Sequence, residues 1–148
     1  MTKDKGRLEA IWLKTSRNGP MDPVNETIAV KDRGLEGNAD FGRSRHITLI
    51  EKEVFDSLKN KLSDNVDPSM RRANFLLSGI RLQDSKNRIL IVGDLRIQIQ
   101  GETKPCMVMD QSFPGLKEAL IPNWMGGAYG RVLNGATVRV GDYVSWEN

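Results

Sequence analysis

Leu95, Ile97 and Ile99 alternate with Arg96, Gln98 and Gln100, the period-two pattern of a strand with one buried face. The apolar run 89–92 lies just upstream, separated from it by Gly93-Asp94, so the two runs predict a tight hairpin. Residues 8–14 show partial alternation and read as a first strand, closed by the turn-forming stretch 16–20. Further strands are expected over 27–30, 45–50 and 75–77. A glycine-rich bend then enters a strand over 124–133, and Asn134-Gly135 predicts a hairpin into 136–140. Gly141-Asp142 precedes a last strand at 143–146. One segment has a different period: Val54, Phe55, Leu58 and Leu62 recur at helical spacing within 51–62, with Glu51 and Glu53 placed to favour the positive end of the helix dipole. Residues 115–121 allow a short second helix, stopped before Pro122. About eight short strands with tight turns predict a mainly β fold, a closed or partly closed antiparallel barrel with one longer helix and one or two short ones, because such sheets must close or be covered to protect their edges.

Composition narrows the picture. The 148 residues suffice for one domain with a substantial core and are few for two, so a single domain over 1–148 is expected. A hydrophobic fraction of 39% with 28% charged residues is ordinary for a globular protein and argues against disorder. No apolar run reaches bilayer-spanning length and the start of the chain lacks a signal-peptide core, so a cytoplasmic location and no membrane partner are expected. The net charge of +3 favours anionic partners without naming one. With one His and one Cys, a structural zinc site is excluded.

That cysteine, Cys106, is the candidate chemical centre. A thiolate is a strong nucleophile and a soft metal ligand, and it needs nearby positive charge. Lys104 supplies it from two residues away, and Pro105 restricts the backbone between them. The predicted strand 95–100 delivers the chain to this stretch, a good place for function because a rigid scaffold fixes what the loop presents. Against this, a lone cysteine is often only a small buried hydrophobe. Two adjacent arginines, Arg71 and Arg72, followed by Asn74 at the threshold of a strand, form a candidate anion clamp; solvated surface charge is the plainer alternative. Three glycines within 33–43 suit a loop in close approach to another part of the chain, although neither the phosphate-loop nor the dinucleotide motif is present. His46, at a strand start, reads as structural.

Taken in order, Gly34-Leu35-Glu36-Gly37 with Phe41-Gly42, residues 45–49, Arg71-Arg72-Ala73-Asn74, Lys104-Pro105-Cys106, and the closing Gly130-Arg131-Val132, Gly135 and Gly141-Asp142 resemble the MOSC domain, the molybdenum cofactor sulfurase C-terminal domain. The likeness spans nearly the whole chain and is that of a stand-alone prokaryotic-type member. It implies a β-barrel and a cysteine that carries sulfur or ligates molybdenum, with Cys106 as the matching residue and molybdenum ligand. Phosphate and pterin of the molybdenum cofactor would be held by Arg71, Arg72 and Asn74, by backbone amides at Gly126 and Gly127, and by Lys104, Arg45 or Arg131. Many members carry Asp and His in the first glycine loop where this chain has Asn38 and Asp40, and often an Arg shortly before the cysteine where this chain has Glu102 and Lys104. The aminotransferase-like half of the fused sulfurases is missing, so pyridoxal phosphate chemistry would belong to a partner cysteine desulfurase.

The implied function is a sulfur-carrier or molybdenum-cofactor-binding domain, with Cys106 as persulfide carrier or metal ligand and a desulfurase, a molybdoenzyme or a redox partner as its counterpart. One alternative is a molybdenum-dependent reductase of N-hydroxylated compounds, which would need an external electron donor. Another is a basic barrel that binds nucleic acid around a structural cysteine. Scattered Trp12, Trp124, Trp146, Tyr129 and Tyr143, read as core residues, disfavour that last possibility.

Overall fold

The computed structural model describes residues 6–17, 19–104 and 113–148. Eleven strands occur among them: β1 (Gly6–Lys14), β2 (Met21–Val24), β3 (Glu26–Val30), β4 (Gly34–Leu35), β5 (Ile47–Glu51), β6 (Phe75–Ser78), β7 (Ile89–Val92), β8 (Leu95–Glu102), β9 (Ala128–Val132), β10 (Ala136–Arg139) and β11 (Tyr143–Trp146). Helix α1 (Lys52–Lys61) joins β5 to β6, and a single turn, α2 (Leu116–Ala119), precedes β9. Short 3-10 turns occupy Pro68–Arg71 and Pro122–Trp124.

Seven strands close a barrel in the order β1, β6, β5, β9, β8, β7, β11, with β11 returning to β1 through Gly6 opposite Val144. The mainly β barrel expected from the turn pattern is therefore present. Its neighbours are antiparallel except β5 and β6, which run parallel with Leu49 opposite Phe75. That exception follows from the one long helix. Parallel neighbours need a crossover connection, and α1 with the following 3-10 turn supplies it.

Side chains on the two sides of the wall build two cores. Leu8, Ile11, Leu49, Phe75, Ile97 and Val132 belong to the barrel interior. Ile50 and Leu76, on the opposite faces of β5 and β6, pack outside with Phe55 and Leu58 of α1 and with Leu116 and Leu120. The partial alternation of β1 has the same origin. A bulge between Leu8 and Ala10 keeps Leu8 and Ile11 on the inner side, while Ala10 and Trp12 join the outer core. Glu51, expected to favour the start of α1, instead closes β5 as a buried carboxylate accepting a hydrogen bond from Leu82 N at 3.2 Å.

One strand goes unannounced in the sequence, and one local expectation fails. Met21–Val24 pairs with β1 as an edge strand, which its internal Pro23 disguised in the sequence. Asn134-Gly135 does not make a hairpin. Both sides of β9 are taken, by β5 and β8, so β10 pairs with β3 in a separate three-stranded sheet ordered β10, β3, β4. Asn134 closes the neighbouring hairpin instead: Oδ1 accepts from Arg96 N at 2.8 Å and Nδ2 donates to Asp94 O at 2.9 Å.

Candidate functional site

β8 ends beside the start of β9. Glu102 lies opposite Ala128, and one residue further Thr103 N donates to Gly127 O at 2.9 Å. Gly127 has φ +97°, and a Cβ there would lie 2.1 Å from Leu49 O, so both handedness and space demand glycine. Arg71, leaving its 3-10 turn, fastens this junction: Nε donates to Gly126 O at 2.8 Å and Nη2 to Thr103 O at 3.3 Å. The Thr103 hydroxyl adds a 3.3 Å bond to the same Gly126 carbonyl. Two strand ends are thus held by a charge-assisted brace immediately before Lys104, which is exposed. Pro105, Cys106, Met107 and Met109 lie outside the described residues.

Arg72 does not join Arg71. Its backbone is left-handed (φ 63°, ψ 36°), and its guanidinium reaches the other way to donate to Gly19 O at 2.7 Å, tying down the turn after β1. Asn74 is buried and saturated. Its Oδ1 accepts from Thr48 N and Thr48 Oγ1, both at 3.1 Å, while its Nδ2 donates to Trp12 O at 3.0 Å and to Asn38 Oδ1 at 3.2 Å. This side chain prolongs the β5–β6 ladder by one step and binds it to β1 and to the glycine loop. The Arg71, Arg72 and Asn74 run is therefore a knot of structural donors with only Arg71 at the junction. Gly127 N is likewise committed, to Trp124 O at 2.9 Å.

Arg45 and Arg131 part company too. Arg131, three residues beyond Ala128 on β9, pairs with Asp32 at 2.8 Å. Arg45 lies with its Cζ 4.2 Å from the centroid of the Tyr129 ring. Tyr129 sits opposite Thr48 on one side and Gly101 on the other, so this stack adjoins the junction held by Arg71. His46 is buried with Nδ1 accepting from Val132 N at 3.1 Å. Burial, the largest influence, lowers its pKa; Asp32 opposes that and Arg131 adds to it.

Two participants were not singled out from sequence. Thr103 and Thr48 carry no motif. Asn38, 4% exposed, accepts from Lys14 N at 2.9 Å and from Asn74, yet its own Nδ2 has no acceptor. Of the aromatics, Trp12, Trp124 and Trp146 pack against the cores, but Tyr143, expected there, is 62% exposed beneath Arg7. Among the described residues no group of three or more His, Cys, Asp or Glu is arranged to hold a metal, and no helix is long and apolar enough to cross a membrane.

The donor set is suited to an anionic group. Lys104 and Arg45 are exposed cations beside a rigid junction, and neither forms an ion pair with a described carboxylate. Comparison with known proteins agrees with the architecture. The YuaD protein from Bacillus subtilis superposes with a TM-score of 0.80 at 17% identity, over 95% of this chain and 94% of that one. YiiM from Geobacillus stearothermophilus gives 0.78 at 17% identity, over 97% and 75%. YiiM from Escherichia coli gives 0.71 at 15%, over 96% and 70%. At such identities the likeness speaks for the fold. No curated protein matches the sequence itself. The sequence profile of the MOSC domain matches residues 36–145, from the glycine loop to the last strand, and the chain therefore belongs to the MOSC domain family, a group of molybdenum-cofactor-related domains.

Proposed function

We propose that this chain binds the molybdenum cofactor beside the β8–β9 junction and that Cys106 is the thiolate it contributes there. The observation that most supports this reading is the brace from Arg71 to Thr103 and Gly126, which fixes the point from which the chain runs through Lys104 towards Cys106. A nucleophile or ligand must be presented reproducibly, and a rigid launching point at Thr103, three residues upstream, serves that end. Lys104, exposed and cationic, favours the thiolate over the thiol and an anionic ligand over a neutral one. When bound, the cofactor supplies molybdenum redox chemistry. The chain's own residues bind, orient and present the sulfur.

As a sulfur carrier, Cys106 acts on a cysteine persulfide of a desulfurase. Its thiolate attacks the terminal sulfur, a new S–S bond forms, the donor's S–S bond breaks, and the donor leaves as a thiolate with no net oxidation. As a ligand, the same softness suits molybdenum. Incubation of the chain with a desulfurase and cysteine, followed by intact mass measurement, tests the carrier form. Gain of one sulfur atom in the wild type and none in Cys106→Ser is expected; equal sulfur uptake by the two would refute a carrier role for Cys106.

A further inference from the structure

Four of the basic residues near the junction differ in what their nitrogens are doing. Arg71 donates from Nε and Nη2 to two carbonyls, Arg72 from Nη2 to the Gly19 carbonyl, and Arg131 to the Asp32 carboxylate. Arg45 is different. What holds it is the face of the Tyr129 ring, 4.2 Å from Cζ, and no described carbonyl or carboxylate accepts from it. A stack against an aromatic face fixes the plane of a guanidinium without using its N–H groups, which lie in that plane and point outward.

The ring is itself fixed. It lies over Gly101, its partner across the β8–β9 ladder, so closely that a Cβ on Gly101 would sit 3.3 Å from both Cε1 and Oη of Tyr129. A glycine in the outer row of β8 thus lets the ring settle on the strand, and the ring settles the arginine. Gly101 is two residues before Thr103, about 7 Å along the strand. The open guanidinium therefore lies on a ring anchored two residues from each strand end of the junction, Tyr129 from Gly127 and Gly101 from Thr103, and takes no part in the Arg71 brace.

We infer that Arg45, laid on Tyr129, is the residue that grips the phosphate-type group of this site's ligand, with Tyr129 and Gly101 as positioning residues and Arg71 and Arg72 as structural ones. The inference rests on the reading of this junction as a ligand site, and it assigns the anion-binding role to one arginine among those the sequence offered. A fork of in-plane donors is matched to two oxygens of a tetrahedral anion, a geometry that a lysine cannot copy.

The test uses the full chain labelled with 15N and follows the arginine Nε–Hε resonances during titration with inorganic phosphate, at an ionic strength held constant with chloride. The Arg45 resonance should shift and saturate, and phosphate binding should weaken at least tenfold in Arg45→Gln and about threefold in Arg45→Lys. Tyr129→Leu should weaken binding severalfold and should also narrow the separation of the Arg45 resonance from those of exposed arginines. Arg88→Gln, which removes another stacked arginine, on Trp146 at 4.3 Å, should change nothing. Equal affinity in Arg45→Gln, or uniform shifts across all arginines, would overturn the inference. Pterin content of the same proteins, expressed with an intact cofactor pathway, separates this idea from the reading beneath it. Pterin retained equally by the wild type and Arg45→Gln would sink the arginine assignment and leave cofactor binding standing. Arg45-dependent phosphate binding with no pterin in the wild type would sink cofactor binding and leave the arginine assignment standing.

Discussion

Replacing Asn74 by Ala should cost about 3 kcal/mol of folding stability, a large effect for one uncharged side chain. The side chain makes four hydrogen bonds to three other segments: it accepts from Thr48 N and Oγ1 and donates to Trp12 O and Asn38 Oδ1. Not all of these losses count equally. The Thr48 hydroxyl can rotate to another acceptor, and Asn38 Oδ1 keeps its bond from Lys14 N. Thr48 N and Trp12 O have no such recourse in a site where Asn74 is 3% exposed, and each buried polar group left unmatched costs about 1–3 kcal/mol. Two of them give the stated magnitude, which corresponds to a fall in Tm of roughly 6–12 °C for a chain of this size. Urea titration read by tryptophan fluorescence and by circular dichroism gives the free energy, and a constant m value confirms that the folded state is the one affected. Asn74→Asp sharpens the case. A carboxylate would still accept from Thr48 but would turn an oxygen on Trp12 O and Asn38 Oδ1, so that variant should be weak at neutral pH and recover as acid protonates it. A loss below 1 kcal/mol for Asn74→Ala, with an unchanged m value, would refute the claim that this side chain knots β1, β5 and the glycine loop.

Burial raises the pKa of Glu51, chiefly by desolvation, so the folded state binds its proton more tightly than the unfolded state does. Glu51→Gln should therefore be more stable than the wild type at neutral pH, and the difference should shrink as pH falls through the raised pKa towards 4.5; a difference independent of pH would contradict this. His46 shifts the other way: its neutral form is favoured in the fold, so stability should be full above pH 6.5 and decline as pH drops through the lowered folded value, measurable by urea midpoints from pH 7.5 to 5. A midpoint rising over that range, once Glu51 is replaced by Gln, would count against it. Gly127→Ala places a methyl group 2.1 Å from Leu49 O at a positive φ and should yield little folded protein or a loss above about 3 kcal/mol, while Gly141→Ala, with nothing within 4 Å of the added carbon, should lose only about 1 kcal/mol from its backbone conformation. Equal losses at the two glycines would show that crowding at Leu49 plays no part.

What could be read from the sequence was whatever one strand or helix expresses by itself. β8 has a buried face and a wet face, and its alternation announced both it and the hairpin with β7. β1 was legible only in part, because after its bulge it is covered on both sides. Asn134-Gly135 shows the opposite case: a strong local turn signal overruled because β9 already had two neighbours. The barrel could be expected from the turns, but the parallel β5–β6 pair depends on where α1 crosses, which no local pattern records. The arginines teach the same lesson at the site. Arg71 and Arg72 are adjacent in sequence and looked like one clamp, yet the left-handed backbone at Arg72 sends their guanidinium groups to different loops. Asn74 looked like a ligand donor because asparagine so often is one, and only the three-dimensional neighbours show that its donors are taken. Arg45 and Arg131 had equal standing as sequence candidates; a ring beneath one and a carboxylate beside the other separate them.

The proposed function requires that this MOSC domain hold the molybdenum cofactor through a site completed by Cys106. Molybdenum and pterin per chain, measured in protein purified from a host with an intact cofactor pathway, test it most directly when wild type and Cys106→Ser are compared at equal folded fraction. Both components are expected in the wild type at a fixed ratio to protein, with loss of molybdenum from Cys106→Ser. A wild-type chain devoid of both, or a serine variant that keeps its full complement of metal, would contradict it.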